Sequence, residues 1–223
     1  AEIRAGRTEN LRVVAMPRIA QALASPAVAK FVQQYPDIGV SLDVRARREA
    51  GKWLAGREYD IGIGALPVDH PDIRTELLLR VRAQAIVPVD HSLAQATEIS
   101  VDNLDGEPMI RLMHGLLLRD QLDDMFQSAG LTPKPSCEVA SSALACALVA
   151  DGGGITIADE LVASQVDANR IRLIPIAPER WMSFGLLFPI NSPPSNRLEN
   201  LIEILRSNAK RLADASPTIE IPG

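Results

Sequence analysis

Apolar residues along the chain fall into two patterns, short runs of strand length and longer stretches with helical spacing. The segment 11–16 (Leu-Arg-Val-Val-Ala-Met) is typical of a buried strand, which ends at Pro17 because proline has no N–H to donate. Apolar and polar residues alternate over 40–45, which predicts a strand with one face in water. The predicted strands are 11–16, 40–45, 59–66, 75–79, 82–87, 109–112, 136–140, 155–158, 171–176 and 184–188.

Stretches with helical spacing lie between several of these strands. In one of them apolar residues from Leu118 to Ala129 share a face, and Gly130 follows as a C-cap. Three consecutive glycines, 152–154, end another helix and turn the chain. The predicted helices are 19–35 with a kink at Ser25-Pro26, 47–57 around Trp53 and Leu54, 118–129, 142–150, and one that begins after Ser195.

Strands that alternate with helices indicate parallel βαβ units and therefore an α/β fold. The units form two groups, one split in sequence around the other, which predicts two Rossmann-like lobes joined by two crossing strands. We expect lobe I at 11–86 plus 184–214, lobe II at 87–183, the end of a linker at 1–10 and a loose tail at 215–223.

The candidate ligand site follows from this arrangement of strands. Ligands of open α/β sheets bind in the crevice beyond the carboxyl ends of the strands. The loops after Met16, Leu66, Leu112 and Ala140 are therefore the candidates.

Composition excludes several functional classes. The chain has 223 residues, 47% of them hydrophobic, and a net charge of −5, so it would repel a nucleic-acid backbone. Its two cysteines, Cys137 and Cys146, have neither CxxC spacing nor a matching histidine cluster, so neither a disulfide framework nor a metal site is expected. Both are interpreted as buried small hydrophobic residues, with thiol-based redox sensing as the alternative.

Location is predicted from what the sequence shows at its start and along its length. No run approaches the length of about 18 apolar residues that a membrane span needs. The chain begins at Ala1 without a signal region, so we expect either that an upstream part was removed or that this is an excised domain. The expected location is the cytoplasm, with no membrane partner.

An ordered series of short motifs over about residues 11–212 resembles the effector-binding domain of LysR-type transcriptional regulators, which shares its fold with type 2 periplasmic solute-binding proteins. No single motif is specific, but their order and spacing along the chain are. The motifs are Leu11 to Pro17, Phe31 to Pro36, Tyr59 to Gly64, Val87 to Leu93, Asn103 to Pro108, Glu138 to Ser141 and Leu148 to Ile157.

The resemblance implies partners as well as a fold. It implies a small-molecule effector bound between the lobes and a homodimer or homotetramer in which the helix near 19–35 packs against the helix near 116–129 of another subunit. It also implies that DNA is contacted only through an N-terminal winged helix-turn-helix that this chain lacks. Neither a cofactor nor catalysis is implied.

Arg18 is the point at which the sequence departs from the family. Many members have a serine or threonine after the proline that follows the first strand, where it bonds the effector; here Arg18 follows Pro17. The five fixed donors of an arginine suit a carboxylate, which predicts an organic anion such as an amino-acid derivative or an aromatic acid. The alternative is that Arg18 faces solvent or pairs within its own lobe.

Other candidate effector-binding residues surround the same expected crevice. Ser141 and Ser142 stand where a strand ends and a helix begins, so their hydroxyls and free helix N–H groups would favour an anion, unless Ser141 only caps the helix. His114 is interpreted as lining the pocket or the surface rather than as catalytic. The full set is Pro17, Arg18, Ile19, Gly64, Ala65, Met113, His114, Ser141 and Ser142.

The sequence thus predicts a ligand-sensing regulatory domain. One alternative is a solute-binding protein of a transporter with the same fold. An enzyme is a weaker alternative, because the sequence contains no nucleophile elbow and the Asp123-Asp124 pair resembles the solvated face of a helix. Trp53 and Trp181 are interpreted as packing groups.

Overall fold

A computed structural model describes residues 10–46, 52, 54, 56, 58–190 and 193–222. The strands are β1 Leu11–Ala15, β2 Val40–Val44, β3 Ile61–Leu66, β4 Ile73–Arg82, β5 Gln84–Pro88, β6 Ile99–Ser100, β7 Pro108–Leu112, β8 Lys134–Val139, β9 Thr156–Ala158, β10 Ile171–Ala177, β11 Trp181–Pro189 and β12 Ile219–Glu220. The α-helices are α1 Ser25–Gln34, α2 Leu117–Ser128, α3 Ser142–Ala150, α4 Glu160–Ala163 and α5 Asn196–Ala215.

The chain divides into two compact units. The first comprises residues up to Arg80 and from Ser183 onward, and the second runs from Val81 to Met182. Both points of division fall inside strands, since β4 and β11 each contribute residues to both units. The chain therefore passes between the units twice, each time along a strand.

The first unit is built on a six-stranded sheet with the order β12-β4-β11-β3-β1-β2. Strand β1 runs parallel to β2 and β3, with Ala15 opposite Val44 on one side and Ile63 on the other, whereas β11 is antiparallel to β3. The runs of valine and isoleucine in β1 and β3 are almost fully buried, as expected for parallel strands covered on both faces. The sequence interpretation of these strands is confirmed.

The helical segment after β1 is continuous but not uniform. A three-residue turn, Pro17–Ile19, leads into a π-helical stretch, Ala20–Ala24, and then into α1. The predicted kink at Ser25-Pro26 coincides with the start of α1. Phe31 on this helix is fully buried and its ring centroid lies 4.8 Å from that of Tyr35.

The second unit contains a four-stranded sheet, β6-β10-β5-β9, and the parallel pair β7-β8. Met109 of β7 bridges to Ile155, which joins the pair to the segment that enters β9. Helix α2 buries Leu118, Leu122, Met125 and Phe126, and Gly130 follows with φ +68, which confirms the predicted C-cap.

Two predictions about secondary structure need correction. The segment 75–79 is part of a single ten-residue strand, β4. The tail beyond Pro217 is not loose: Ile219 is buried in β12, which pairs with β4 at the sheet edge, and Glu220 pairs with Arg80. The short elements β6 and α4 were not predicted. The predicted helix at 47–57 lies largely outside the described residues.

Candidate functional site

In the first unit, two predicted loops leave the same edge of the sheet. The Met16 N–H donates to the carbonyl of Ile63 at 2.8 Å, so Pro17 to Ile19 and Gly64 to Ala65 are brought together where β1 and β3 end. Pro17 is exposed and Arg18 is half-buried, whereas Ile19 is fully buried and belongs to the core. The side chain of Ile19 packs in the core, and the prediction that this residue takes part in effector binding stays a prediction.

Gly64 leaves room for the side chain of Met16 to pack against the backbone of β3. A Cβ at this position would lie 2.4 Å from Sδ of Met16, and the Ala65 N–H donates to the same sulfur at 3.2 Å. The thioether of Met16 thus fills the space above Gly64. Packing within the first unit accounts for this glycine.

Arg18 stands at the carboxyl end of β1, on the turn Pro17–Ile19. It has at least one interaction within the structure. The residue is only half-buried, and a guanidinium that bonds one partner still has further N–H donors.

In the second unit, the other two loops also leave a common sheet edge. Leu112 at the end of β7 lies opposite Val139 near the end of β8, and the Met113 N–H donates to the carbonyl of Val139 at 2.9 Å. The loop 113–115 and the turn at Ser141 therefore begin side by side. Met113, His114 and Gly115 are all exposed.

Ser141 caps helix α3. Its Oγ accepts a hydrogen bond from the Leu144 N–H at 3.2 Å, and its own carbonyl accepts from the Ala145 N–H. This bond satisfies one of the free N–H groups of the first turn, and the serine hydroxyl keeps its proton to donate. Ser142 is buried and bonded within the structure, so Ser141 is the more accessible of the two.

A cluster of charged side chains supports these two loops. Arg119 on α2 is 5% exposed; its Nε donates to Asp123 at 2.7 Å and its Nη1 donates to Glu138 at 2.8 Å and to the carbonyl of Leu112 at 2.5 Å. Its Nη2 lies 2.9 Å from Nε2 of His114. Arg111 also pairs with Asp123. One buried cation thus ties α2, the end of β7, β8 and the loop 113–115 together.

The electrostatics of the cluster are mutually favourable. The hydrogen bond from Arg119 holds the pKa of the Glu138 carboxyl below its ordinary value, although desolvation acts the other way. Burial alone would lower the pKa of Arg119, but its bonds to Glu138 and Asp123 outweigh that effect and the pKa is raised. Both groups are therefore held in their charged forms, as a buried arginine requires.

The structure corrects two readings of the sequence in this region. Asp123 is not on a solvated helix face, since it accepts bonds from Arg119 and Arg111, whereas its neighbour Asp124 is exposed. Cys137 is exposed on β8, so the expectation that both thiols are buried holds only for Cys146. Trp181 is half-buried and donates to Glu179, and Trp53 lies outside the described residues.

Sequence reasoning missed Arg119. An arginine on a helix is ordinarily solvated, but Arg119 is three positions before Leu122 and seven before Phe126, so it lies on the buried face. The position of a charged residue on the apolar face of this predicted helix was the sequence signal that could have identified Arg119.

A cavity of about 460 Å³ lies at the opposite edge of the sheet in the first unit. It is formed where β1 and β3 begin and α5 starts, and Arg12 within it pairs with Asp60 at 2.8 Å. This ion pair raises the pKa of Arg12 through the Asp60 hydrogen bond. Its lining residues are Asn10, Leu11, Arg12, Tyr59, Asp60, Pro189, Pro193, Ser195, Arg197 and Leu198.

Membrane-spanning helices and metal-binding clusters are both absent among the described residues. None of the helices within the described ranges is long and apolar enough to cross a membrane. Among the same residues, no group of three or more histidine, cysteine or acidic side chains is placed to hold a metal ion.

Two curated proteins show what this chain is similar to in sequence. The regulatory protein NocR of Agrobacterium tumefaciens is 29% identical over 194 residues, covering 87% of this chain and 65% of NocR. The transcriptional activator protein LysR of Escherichia coli is 23% identical over 218 residues, covering 97% of this chain and 70% of that protein. The chain thus spans about two thirds of the length of these relatives.

Solved structures share the fold. The BenM effector binding domain with benzoate has a TM-score of 0.78 and 20% identity, covering 93% of this chain and 95% of that domain. The CcmR regulatory domain of Synechocystis PCC6803 with 2-PG has a TM-score of 0.79 and 20% identity, covering 89% of this chain and 96% of that domain. The effector binding domain of QuiR with shikimate has a TM-score of 0.76 and 19% identity, covering 91% of this chain and 98% of that domain. Identities this low establish the fold alone.

The family model described as the LysR substrate binding domain matches residues 4–210. The two-unit α/β fold agrees with that match, as do the curated relatives, which are named as a regulatory protein and a transcriptional activator protein. This chain belongs to the LysR substrate binding domain family.

Proposed function

We propose that this chain is the ligand-sensing part of a LysR-type transcriptional regulator and that its effector is a small organic anion. The observation that carries the regulatory role is the family match over residues 4–210, together with relatives that are named as regulators and are longer than this chain. DNA contact then belongs to the part of the protein outside this chain. The regulator names of the relatives also favour this role over a transport-associated solute-binding protein.

The chemistry of the two sheet edges supports an anionic effector. In the first unit, Arg18 is half-buried and supplies a permanent positive charge with several donors. In the second unit, Ser141 keeps a hydroxyl proton at the start of α3, where the dipole of the helix favours negative charge. Both groups favour oxygen acceptors that carry negative charge.

The named structural neighbours support the same class of ligand. BenM was solved with benzoate and QuiR with shikimate. Both are small carboxylates at neutral pH, so they are suitable probes for this chain. The physiological effector need be neither of them.

Calorimetric titration of this chain with benzoate and with shikimate tests the proposal. If Arg18 bonds the carboxylate, Arg18→Ala removes a charge-assisted hydrogen bond of about 1.5–3 kcal/mol, which corresponds to a weakening of about tenfold or more. Arg206→Ala is the matched control, because Arg206 is a surface arginine of the first unit that pairs with Glu76 and Glu203. Equal affinities in the wild type and Arg18→Ala would remove Arg18 from the site.

The regulatory role has a separate test. The full-length protein, with its upstream part, is tested for binding to its own promoter region with and without a probe that binds this chain. A probe that changes promoter affinity supports the role, because an effector acts only through a difference in affinity between two states. Unchanged promoter binding at saturating probe would contradict it.

A further inference from the structure

The contact between Arg119 and His114, in the loop 113–115, determines which ring nitrogen of His114 carries the proton. Nη2 of Arg119 lies 2.9 Å from Nε2 of His114. A guanidinium carries five N–H donors and no acceptor, and it stays protonated under all ordinary conditions. The hydrogen bond therefore runs from Arg119 to His114, and Nε2 must be the unprotonated nitrogen of the ring.

A neutral imidazole carries one ring proton, so the proton of His114 is on Nδ1. The other two histidines of the chain have the opposite arrangement. Nδ1 of His70 accepts from the Asp72 N–H at 3.2 Å, and Nδ1 of His91 accepts from the Leu93 N–H at 3.2 Å. Their ring protons are consequently on Nε2, so His114 differs from both.

The environment leaves Nδ1 of His114 available. His114 is exposed, and no described residue hydrogen-bonds to its Nδ1. Gly115 next to it has φ +83 and open space where a side chain would stand. The charged groups that interact with His114 are Arg119 and Glu138, and Arg119 is anchored by Glu138, Asp123 and the carbonyl of Leu112, while Arg111 acts on Glu138.

We propose that Arg119 holds His114 in the Nδ1–H tautomer, so that the loop 113–115 presents a fixed hydrogen-bond donor to the effector. The donor selects an acceptor, such as a carboxylate or carbonyl oxygen, at that point of the ligand and disfavours an ammonium or amide N–H group, which can only donate. Arg119 is a positioning residue in this scheme, because it acts through His114 and the ends of β7 and β8. The ligand part of the inference rests on the proposed function, whereas the tautomer does not.

Nuclear magnetic resonance of histidine-labelled protein measures the tautomer directly. Long-range ¹H–¹⁵N correlations distinguish a protonated ring nitrogen from a bare one, and at about pH 8 free imidazoles are neutral because their usual pKa is about 6.5. We expect a bare Nε2 for His114 and a bare Nδ1 for His70 and His91, with signals assigned by loss in His114→Asn and His70→Asn. A protonated Nε2 on His114 would overturn the inference.

Substitution of Arg119 tests whether this residue determines the tautomer of His114. Arg119→Met should shift His114 toward the Nε2–H tautomer and leave His70 and His91 unchanged. An unaltered His114 in a folded Arg119→Met protein would overturn the role of Arg119. If that variant does not fold, the wild-type spectrum decides the question, because a protonated Nε2 on His114 beside Arg119 overturns the inference whether or not the variant can be made.

Two variants, each of which mimics one ring nitrogen of His114, test whether the Nδ1–H group contributes to ligand binding. Asparagine at 114 places its N–H₂ close to the position of Nδ1, whereas glutamine places it close to Nε2. For either benzoate or shikimate, we expect His114→Asn to bind within about threefold of the wild type and His114→Gln to bind about tenfold more weakly or worse. Equal affinities of the two variants, or the opposite order, would overturn the inference. If neither probe binds the wild type, the proposed effector class loses its support, and the tautomer measurement still decides the inference.

Discussion

Gly154 is the position at which a single added methyl group should disturb the second unit most clearly. Its φ of +130 is a conformation that residues with a Cβ rarely adopt, and a Cβ here would lie 2.2 Å from the carbonyl oxygen of Pro108. That oxygen accepts the Ile155 N–H at 2.9 Å, and the Ile110 N–H in turn donates to Ile155 at 2.7 Å. Gly154→Ala therefore disturbs the hydrogen bonds that join β7 to the segment leading into β9.

The expected cost can be worked from these contacts. Holding alanine in an unfavourable backbone region costs about 1–3 kcal/mol. Relieving the overlap with a backbone oxygen, which has no flexible end to move, adds about 1–3 kcal/mol, and losing the Ile155 hydrogen bond adds about 1 kcal/mol. We expect Gly154→Ala to lower the free energy of unfolding by about 3–7 kcal/mol, a large part of the 5–15 kcal/mol that typical domains have.

Gly152→Ala is the matched control. Gly152 lies two residues away and has φ +81, but a Cβ there would meet nothing within 4 Å. Only the backbone cost of about 1–2 kcal/mol should remain. Urea denaturation followed by circular dichroism compares the two variants. Equal destabilisation of both would refute the claim that close approach to Pro108, rather than positive φ, sets the requirement for glycine at 154.

Three further predictions concern single side chains. Glu138→Gln should destabilise the protein at pH 7, and the difference in melting temperature should shrink as the pH falls through the lowered pKa of Glu138, because a carboxyl with a depressed pKa contributes stability only while ionised; a difference independent of pH would contradict this. Asp159→Ala should cost about 1–2 kcal/mol in urea denaturation, since this buried residue caps α4 by accepting from the Leu161 and Val162 N–H groups, and Asp159→Asn, which keeps an acceptor, should cost less. A thiol reagent should modify one cysteine in the native protein and two after unfolding, and Cys137→Ser should abolish the native reaction, because Cys137 is exposed and Cys146 is buried.

Much of the fold is predictable from local pattern. Buried parallel strands appear in the sequence as continuous apolar runs, and for this reason β1 and β3 were found with small errors in their ends. Strand β12 was not predicted, because two residues carry no periodicity. Its existence depends on pairing with β4 and on the ion pair between Arg80 and Glu220, which are 140 positions apart in sequence.

The candidate site was predictable only as far as loops are concerned. The end of a strand can be located from the sequence, so the loops after β1, β3, β7 and β8 were identified. Which side chains within them are accessible depends on packing: Met16 covers Gly64, and the core takes Ile19. The role of Arg119 depends on Asp123, Glu138 and His114 meeting at one point, and this arrangement requires the register of β7 with β8.

Strand β8 has a consequence for how the protein behaves at high concentration. Five of its six residues, Lys134 to Glu138, are exposed. Among the described strands β8 pairs only with β7, so none of them occupies its outer edge. Pro135 offers no N–H there, Lys134 and Glu138 bring charge, and a register shift near Met109 bends the pair. An incoming strand would find an interrupted row of N–H donors and a charged side chain near each end of β8, features that disfavour edge-to-edge pairing at this margin.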